Sequence, residues 1–516
     1  MESEECVVSV GLGEKGLTRD ELLRIARGGE RVVIEQPVIE RLRAQRAAIE
    51  VMVSSGVPVY GVSTGFGSLA TTYVEPDQRR ALQQALIRSH AAGVGSHVEV
   101  EVVRAMMVSR LTTLCSGVTG VQPSTALAYA DLLNAHITPV VHEFGSLGCS
   151  GDLAPLAHVA LALMGEGDVT LADGTISPAA AALTAAGLAP VQLAEKEGLA
   201  LLNGTDGMLG HLILALEDGR NLLELSDVAA SLSIQALRGT DRVFIAELQA
   251  LRPHAGQRVS AANLMALLAG SPIVNSHAGD TTQVQDAYSL RCAPQVHGAA
   301  RDTFAHAAAV ADIELSSAID NPSVLPDGTL SSNGNFHGAP VGYVLDFLAI
   351  ALADVASMSE RRTDRLLDVH RNFGLPPFLA HQAGVDSGLM IAQYTQAAMV
   401  SEMKRLAAPA SVDSIPSSAM QEDHVSMGWH AARKLRRSLE AFADVLAIEL
   451  VAAARAMALR APLGASPATA PVVELVNRVT GGPGPDRWLA PQLSAVAELV
   501  RAGAVRAAVS SHVELH

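Results

Sequence analysis

A mainly α-helical fold, built on a core bundle of long helices with a smaller mixed domain at the N-terminal side, is what this sequence predicts. Composition and periodicity are the two observations behind it. Of 516 residues, 49% are apolar but only 3% aromatic. Alanine and leucine carry the apolar content, and both are good helix formers. Beyond residue 205, Val341, Leu345, Leu348, Leu352 and Val355 recur at spacings of 4, 3, 4, 3, and Leu435, Leu439, Phe442 and Leu446 at 4, 3, 4. Such stripes lie on one helix face and form a packing seam.

Val7–Val10 and Val32–Glu35 read as strands, and Thr18-Arg-Asp-Glu21 as a capping box that opens a helix. Glycine clusters at 61–67, 93–95 and 145–151 mark loops, with a helix beginning near Leu153. We expect residues 1–200 to form a mostly helical domain with short strands, and 201–516 the long-helix bundle. The stretch 461–487 is rich in Pro, Gly and Ala and reads as surface loops around one short helix.

A net charge of −16 and the lack of a basic stripe argue against nucleic acid as a partner. The cysteines Cys6, Cys115, Cys149 and Cys292 are far apart and suit neither a zinc site nor a disulfide framework. No H-E-x-x-H or comparable metal spacing occurs. The acidic start lacks a signal-peptide pattern, and no apolar run approaches the ~20 residues of a membrane span. A cytoplasmic protein without a membrane partner is expected.

Gly11-Leu-Gly-Glu-Lys-Gly16 matches the dinucleotide fingerprint G-x-G-x-x-G, with Glu35 about twenty residues on. A pyrophosphate needs a helix N-terminus opened directly by the glycines. Here the capping box starts the helix after Thr18, so an ordinary turn is expected.

The segment Gly145-Ser-Leu-Gly-Cys-Ser-Gly-Asp-Leu-Ala-Pro-Leu-Ala-His158 carries the chemistry. It is not a nucleophile elbow, since Ser150 lacks the flanking glycine of G-x-S-x-G. A cysteine hydrolase using Cys149 and His158 would have no evident third orienting group. A cyclisation suits the tripeptide better. Attack of the Gly151 nitrogen on the Cys149 carbonyl closes a five-membered ring with loss of water, and loss of the Ser150 hydroxyl as a second water gives 4-methylideneimidazol-5-one. Gly151 has no Cβ to obstruct the approach, Ser150 supplies the leaving group, and residue 149 is a spectator. A plain glycine loop ahead of a helix is the competing reading of the same residues.

This segment resembles the active-site signature of the aromatic amino acid ammonia-lyases, G-S-x-G-A-S-G-D-L-x-P-L, with Cys149 in place of the usual alanine. The resemblance extends over most of the chain. It implies an electrophilic 4-methylideneimidazol-5-one made from Cys149, Ser150 and Gly151, with no dissociable cofactor, and assigns Asp152 to ring formation or orientation. Val59–Gly67 is similar to the family's tyrosine loop and implies that Tyr60 is catalytic. Ser89–Gly93 implies that His90 faces the substrate side chain. Leu201–Thr205 implies that Asn203 lies near the ring, although Asp206 follows where many relatives have glutamine.

Gln285-Asp-Ala-Tyr-Ser-Leu-Arg291 resembles another block. Its Gln285, Tyr288 and Arg291 are three apart and would share a face of a helical turn. The resemblance implies that Tyr288 takes the β-proton and Arg291 binds the substrate carboxylate; a capped helix with a surface arginine is the plain alternative. Gly334–Gly338 implies that Phe336 lies against ring or substrate, and Ser414–His424 implies that Glu422 pairs with an imidazole.

His90 and Glu422 together imply L-histidine as substrate and elimination of ammonia to trans-urocanate, the first step of histidine degradation. Whether amine or imidazole meets the electrophile stays open. The resemblance also implies a homotetramer with sites shared between chains. A phenylalanine or tyrosine ammonia-lyase or an aminomutase is the runner-up. The fumarase and argininosuccinate-lyase group is disfavoured, because Ser417-Ser-Ala-Met-Gln421 lacks the proline and lysine of G-S-S-x-M-P-x-K-x-N. An inactive helical scaffold is disfavoured by the presence of the active-site blocks.

Overall fold

The computed structural model describes residues 9–54, 64, 73–279 and 284–516, and α-helix dominates among them, as expected. The described strands are two to four residues long. The chain divides into two compact units, each assembled from three segments. The first comprises Met1–Leu214, Ala307–Asp346 and Pro409–Arg433; the second comprises Ala215–His306, Phe347–Ala408 and Lys434–His516.

In the first unit, strand Ser9–Leu12 pairs in parallel with Arg31–Ile34, Val10 beside Val32 and Leu12 beside Ile34. These four side chains are buried and their neighbours exposed, the alternation of a half-buried strand. Helix Arg19–Ala26 connects the strands. The Thr18 hydroxyl accepts from Glu21 N, and the Glu21 carboxylate accepts from Thr18 N at 2.8 Å, completing the expected capping box. The glycine string before it is a turn, closed by Gly16 N donating to Gly13 O. The Glu35 carboxylate lies so close to Gly11 and Gly13 that an added Cβ would approach it within 2.9 and 2.7 Å. A negative group over those glycines is the opposite of a pyrophosphate site.

Helix Val100–Cys115 runs through the interior of this unit, buried continuously from Val102 to Cys115. Its two buried arginines are satisfied by carbonyl groups, as burial of a cation demands. Arg104 donates to Ile25, Ala26 and Leu133, and Arg110 to Ala200, Asn203 and Ile319. Helix Leu153–Leu163 begins where the sequence suggested.

In the second unit, Arg362 and Glu449 form a bidentate pair at 2.5 and 2.9 Å with neither side chain exposed, and Ser233 donates to the same carboxylate at 2.7 Å. Asp227 accepts from Ser260, Asn263 and Arg301 and pairs with His297 at 2.8 Å. The expected helix in 461–487 is Ala470–Thr480, and the left-handed Gly481 (φ 74°) ends it.

The two heptad-like stripes fall within helices Ala339–Leu367 and Gly428–Leu459, and each stripe residue is buried. Two expectations need correction. Glu197–Ala236 and Ala339–Leu367 do have the length and hydropathy of a membrane span, but the qualifying windows are 100% and 61% buried inside the protein. Scattered Ser and Asp interrupt any contiguous apolar run without lowering the window average much. Secondly, Gln285 does not share a helical turn with Tyr288 and Arg291. The helix covers only Tyr288–Arg291, Ala287 before it is extended, and residues 284–286 are not helical. Asp286 accepts from Thr240 N at 2.8 Å, which pins that approach to a neighbouring loop.

Candidate active site

The loop Gly145–Asp152 is tied down on three sides. Ser426 Oγ donates to Gly148 O at 3.1 Å and Met427 N to Leu147 O at 3.0 Å. Asp152 N donates to Gly204 O at 2.7 Å. Within the loop, Ser146 Oγ accepts from Gly148 N at 3.2 Å and donates to Asp152 Oδ1 at 2.8 Å.

Gly151 is left-handed (φ 83°) and lies directly on the next segment: a Cβ there would stand 2.1 Å from Gly204 O. Only glycine fits both the dihedral and the space. Among the described residues, no acceptor is paired with the Gly151 amide. Its nitrogen is therefore not committed elsewhere, as a nucleophile for ring closure requires.

Asp152 precedes helix Leu153–Leu163 but does not cap it. Its carboxyl is fully buried, with Oδ2 accepting from Met208 N at 2.9 Å. Desolvation raises its pKa to about 7, against the opposing hydrogen bonds from Met208 and Ser146. An acid–base group tuned close to neutrality thus stands beside the tripeptide.

The Cys149 thiol is pushed up to about 12, by burial first and then by the charge of Glu422. It stays protonated and is no nucleophile at neutral pH. His158 does not activate it, since its Nε2 accepts from Gly93 N at 3.1 Å. The cysteine hydrolase reading lacks a base for this reason. Burial, helped by neighbouring His142, lowers the His158 pKa to about 4.

Glu422 faces the loop. Ser150 Oγ donates to Glu422 Oε1 at 3.4 Å, and Ser417 Oγ donates to Oε2 at 3.1 Å. Glu422 sits at the end of a tight reversal in which Ser417 N donates to Glu422 O at 2.7 Å. Three consecutive non-glycine residues there are left-handed: Ser418, Ala419 and Met420, with φ of 50°, 53° and 67°. Strain of this kind persists only where surrounding contacts enforce it.

His90 ends helix Arg79–His90. Its Nδ1 lies 2.9 Å from Leu86 O, so the neutral ring carries its proton there and leaves Nε2 as an acceptor. Desolvation lowers its pKa, while the backbone bond to Leu86 and the charge of Glu422 oppose the shift. His90 and Glu422 are thus within electrostatic reach of each other.

Asn203, buried, donates through Nδ2 to Asn321 O at 2.7 Å. Arg110 holds the same block together: its guanidinium donates to the carbonyls of Ala200, Asn203 and Ile319 and to Asp206 Oδ2 at 3.1 Å. Asp206, the departure from the family pattern, is therefore the counter-ion of a fully buried arginine. Phe336 is half-buried, and Gly338 two residues on packs against Ser426, where a Cβ would come within 2.8 Å of its Oγ. His337 and His424 stack, with ring centroids 5.5 Å apart.

The first unit thus gathers Cys149, Ser150, Gly151, Asp152, His90, Asn203, Phe336 and Glu422. Gln285, Tyr288 and Arg291 belong to the second unit. There the Arg291 guanidinium carbon stands 4.8 Å from the centre of the Tyr288 ring, and among the described residues Arg291 Nε has no partner. Tyr60 lies outside the described residues.

Sequence reasoning missed Ser146, Ser417, Ser426 and Arg110. Only Arg110 carried a signal, as the one charged residue in the otherwise uncharged run Ala105–Leu114.

A helical scaffold holding a tightly tied Cys-Ser-Gly loop beside a buried acid defines a class of enzyme. Residues 17–478 match the family described as aromatic amino acid lyase, and the chain belongs to that family. Among curated relatives, the histidine ammonia-lyase of Streptomyces coelicolor is 61% identical over 505 residues, covering 98% of each chain. That of Sorangium cellulosum is 48% identical, covering 96% of this chain and 98% of the relative. Among solved structures, the tyrosine aminomutase of Streptomyces globisporus superposes with a TM-score of 0.93 at 37% identity, covering 99% of this chain and 100% of the other. The histidine ammonia-lyase of Trypanosoma cruzi gives 0.90 at 38%, covering 98% and 96%.

Proposed function

We propose that this chain removes ammonia non-oxidatively from L-histidine to release trans-urocanate. The observation that carries the choice of substrate is Glu422, whose carboxylate faces the Ser150 hydroxyl and acts on His90. An imidazole offers N–H groups to that carboxylate. A phenyl ring offers it no N–H donor, and facing an ionised carboxylate toward an apolar ring is unfavourable. The identity to curated histidine ammonia-lyases supports the same choice.

Cys149, Ser150 and Gly151 fit the family's 4-methylideneimidazol-5-one. The Gly151 amide is uncommitted among the described residues, Ser150 has a hydroxyl to lose, and the side chain of residue 149 takes no part. Once formed, this group supplies an electron sink for cleavage of the carbon–nitrogen bond. Arg291 offers a planar fork to the substrate carboxylate. Tyr288 takes the β-proton, and Glu422 with His90 orients the imidazole. Holding the substrate at both ends removes much of the entropic part of the barrier.

The site is completed by another copy of the chain in a homotetramer. Tyr288 is 70% exposed, a poor setting for a general base unless another surface covers it. Phe347, Ile350, Ile391 and Tyr394 are also exposed on the second unit.

Ultraviolet monitoring with L-histidine, L-phenylalanine and L-tyrosine, each supplied alone, tests the reading. Growth of urocanate absorbance with histidine only is expected. Cinnamate or coumarate would move the assignment to the other lyases, and a β-amino acid product to the aminomutases. Ser150→Ala is expected to fold but to lose turnover, by more than about a thousandfold if the electrophile carries the chemistry.

A further inference from the structure

We propose that Glu422 has an earlier task in the life of the protein: its carboxylate drives the second dehydration, which turns Ser150 into the methylidene carbon. The proposal rests on reading Cys149-Ser150-Gly151 as the precursor of the ring.

Three observations carry it. Ser150 Oγ, the leaving group, donates to Glu422 Oε1. The other oxygen of that carboxylate is held by Ser417 Oγ at 3.1 Å, and the backbones of Ser417 and Glu422 exchange two hydrogen bonds at 2.7 and 3.3 Å. The carboxylate is thus fixed toward the hydroxyl by the left-handed turn Ser418–Met420. Finally, the neighbouring acid is engaged elsewhere: both oxygens of Asp152 are taken, by Ser146 Oγ and Met208 N.

The Gly151 nitrogen bonds to the Cys149 carbonyl carbon and its proton passes to that oxygen. The resulting hydroxyl leaves as water with the Ser150 amide proton, and a carbon–nitrogen double bond remains. The Ser150 Cα–H is now flanked by that double bond and by the Ser150 carbonyl, so it is acidic. The Glu422 carboxylate takes this proton and passes it to Oγ. The Cβ–O bond breaks as Cα=Cβ forms, a second water leaves, and Glu422 returns to its charged form.

The test is the intact mass of the purified full-length chain under denaturing conditions, with folding checked by circular dichroism. The wild-type chain is expected to be lighter than its encoded mass by two waters. Glu422→Gln, which keeps the shape and a hydrogen bond but cannot carry the proton, is expected to be lighter by one. Ser417→Ala, which only loosens the carboxylate, is expected to give a mixture of one-water and two-water species, and it decides the matter should Glu422→Gln not fold. Complete loss of two waters in the variants overturns the proposal. So does an E422Q chain that loses none, because Glu422 would then act at ring closure. A wild-type chain at its full encoded mass would overturn the reading of the tripeptide itself, and this step with it.

Discussion

Asp152 shows how a single residue is tuned. Its folded-state pKa is near 7, above the ordinary aspartate value of about 3.9. Between those values the folded protein binds a proton that the unfolded chain has lost. The stabilisation from the neutral acid is therefore complete below about pH 4 and fades as pH rises through about 7. Asp152→Asn imitates the neutral acid at every pH. The melting temperature of wild type relative to Asp152→Asn is expected to fall between about pH 4 and about pH 7; a flat difference would mean that Asp152 is charged throughout. Arg110 is the second case. Arg110→Leu leaves Asp206 buried without its counter-ion and strips the carbonyl groups of Ala200, Asn203 and Ile319 of a donor. A loss of roughly 3–5 kcal/mol in urea denaturation is expected. The two residues differ in legibility. Asp152 sits in a contiguous motif whose chemistry is local, so the sequence displays it. The Arg110–Asp206 pair joins positions far apart in the chain, and nothing in either neighbourhood names the other. Ser146, Ser417 and Ser426 were illegible for the same reason, since a serine's role is set by the partner the fold supplies.

Among the elements, long helices were the most readable, because their buried stripes repeat over several turns in Ala339–Leu367 and Gly428–Leu459. The capping box at Thr18 was readable because it is complete within four residues. The non-helical approach to Tyr288 was not, because a bond from distant Thr240 holds it. The Glu422 turn was hidden too: Ser418-Ala-Met420 has none of the Gly or Asn that usually marks left-handed backbone. The reactive loop depends on its glycines in a way that can be measured. Gly151→Ala puts a methyl group into Gly204 at a left-handed dihedral. A chain of full encoded mass and a lowered melting temperature are the expected results, and normal loss of two waters would show that the loop can yield at this point.

For the whole molecule, composition announced helices but gave no mark of the chain's returns at residues 307 and 409, which complete the first unit. Assembly can be probed through the exposed apolar residues. Phe347→Glu places a charge on that surface. It is expected to give species smaller than the proposed homotetramer in sedimentation and to reduce turnover at least tenfold, with a specific activity that falls further on dilution. Unchanged sedimentation and activity would remove this face from the proposed interface. The ties on the Gly145–Asp152 loop reach one step further. Two of its anchors, Ser426 and Met427, are synthesised almost three hundred residues after it. A nascent polypeptide therefore cannot close these ties until residues in its last fifth have been made.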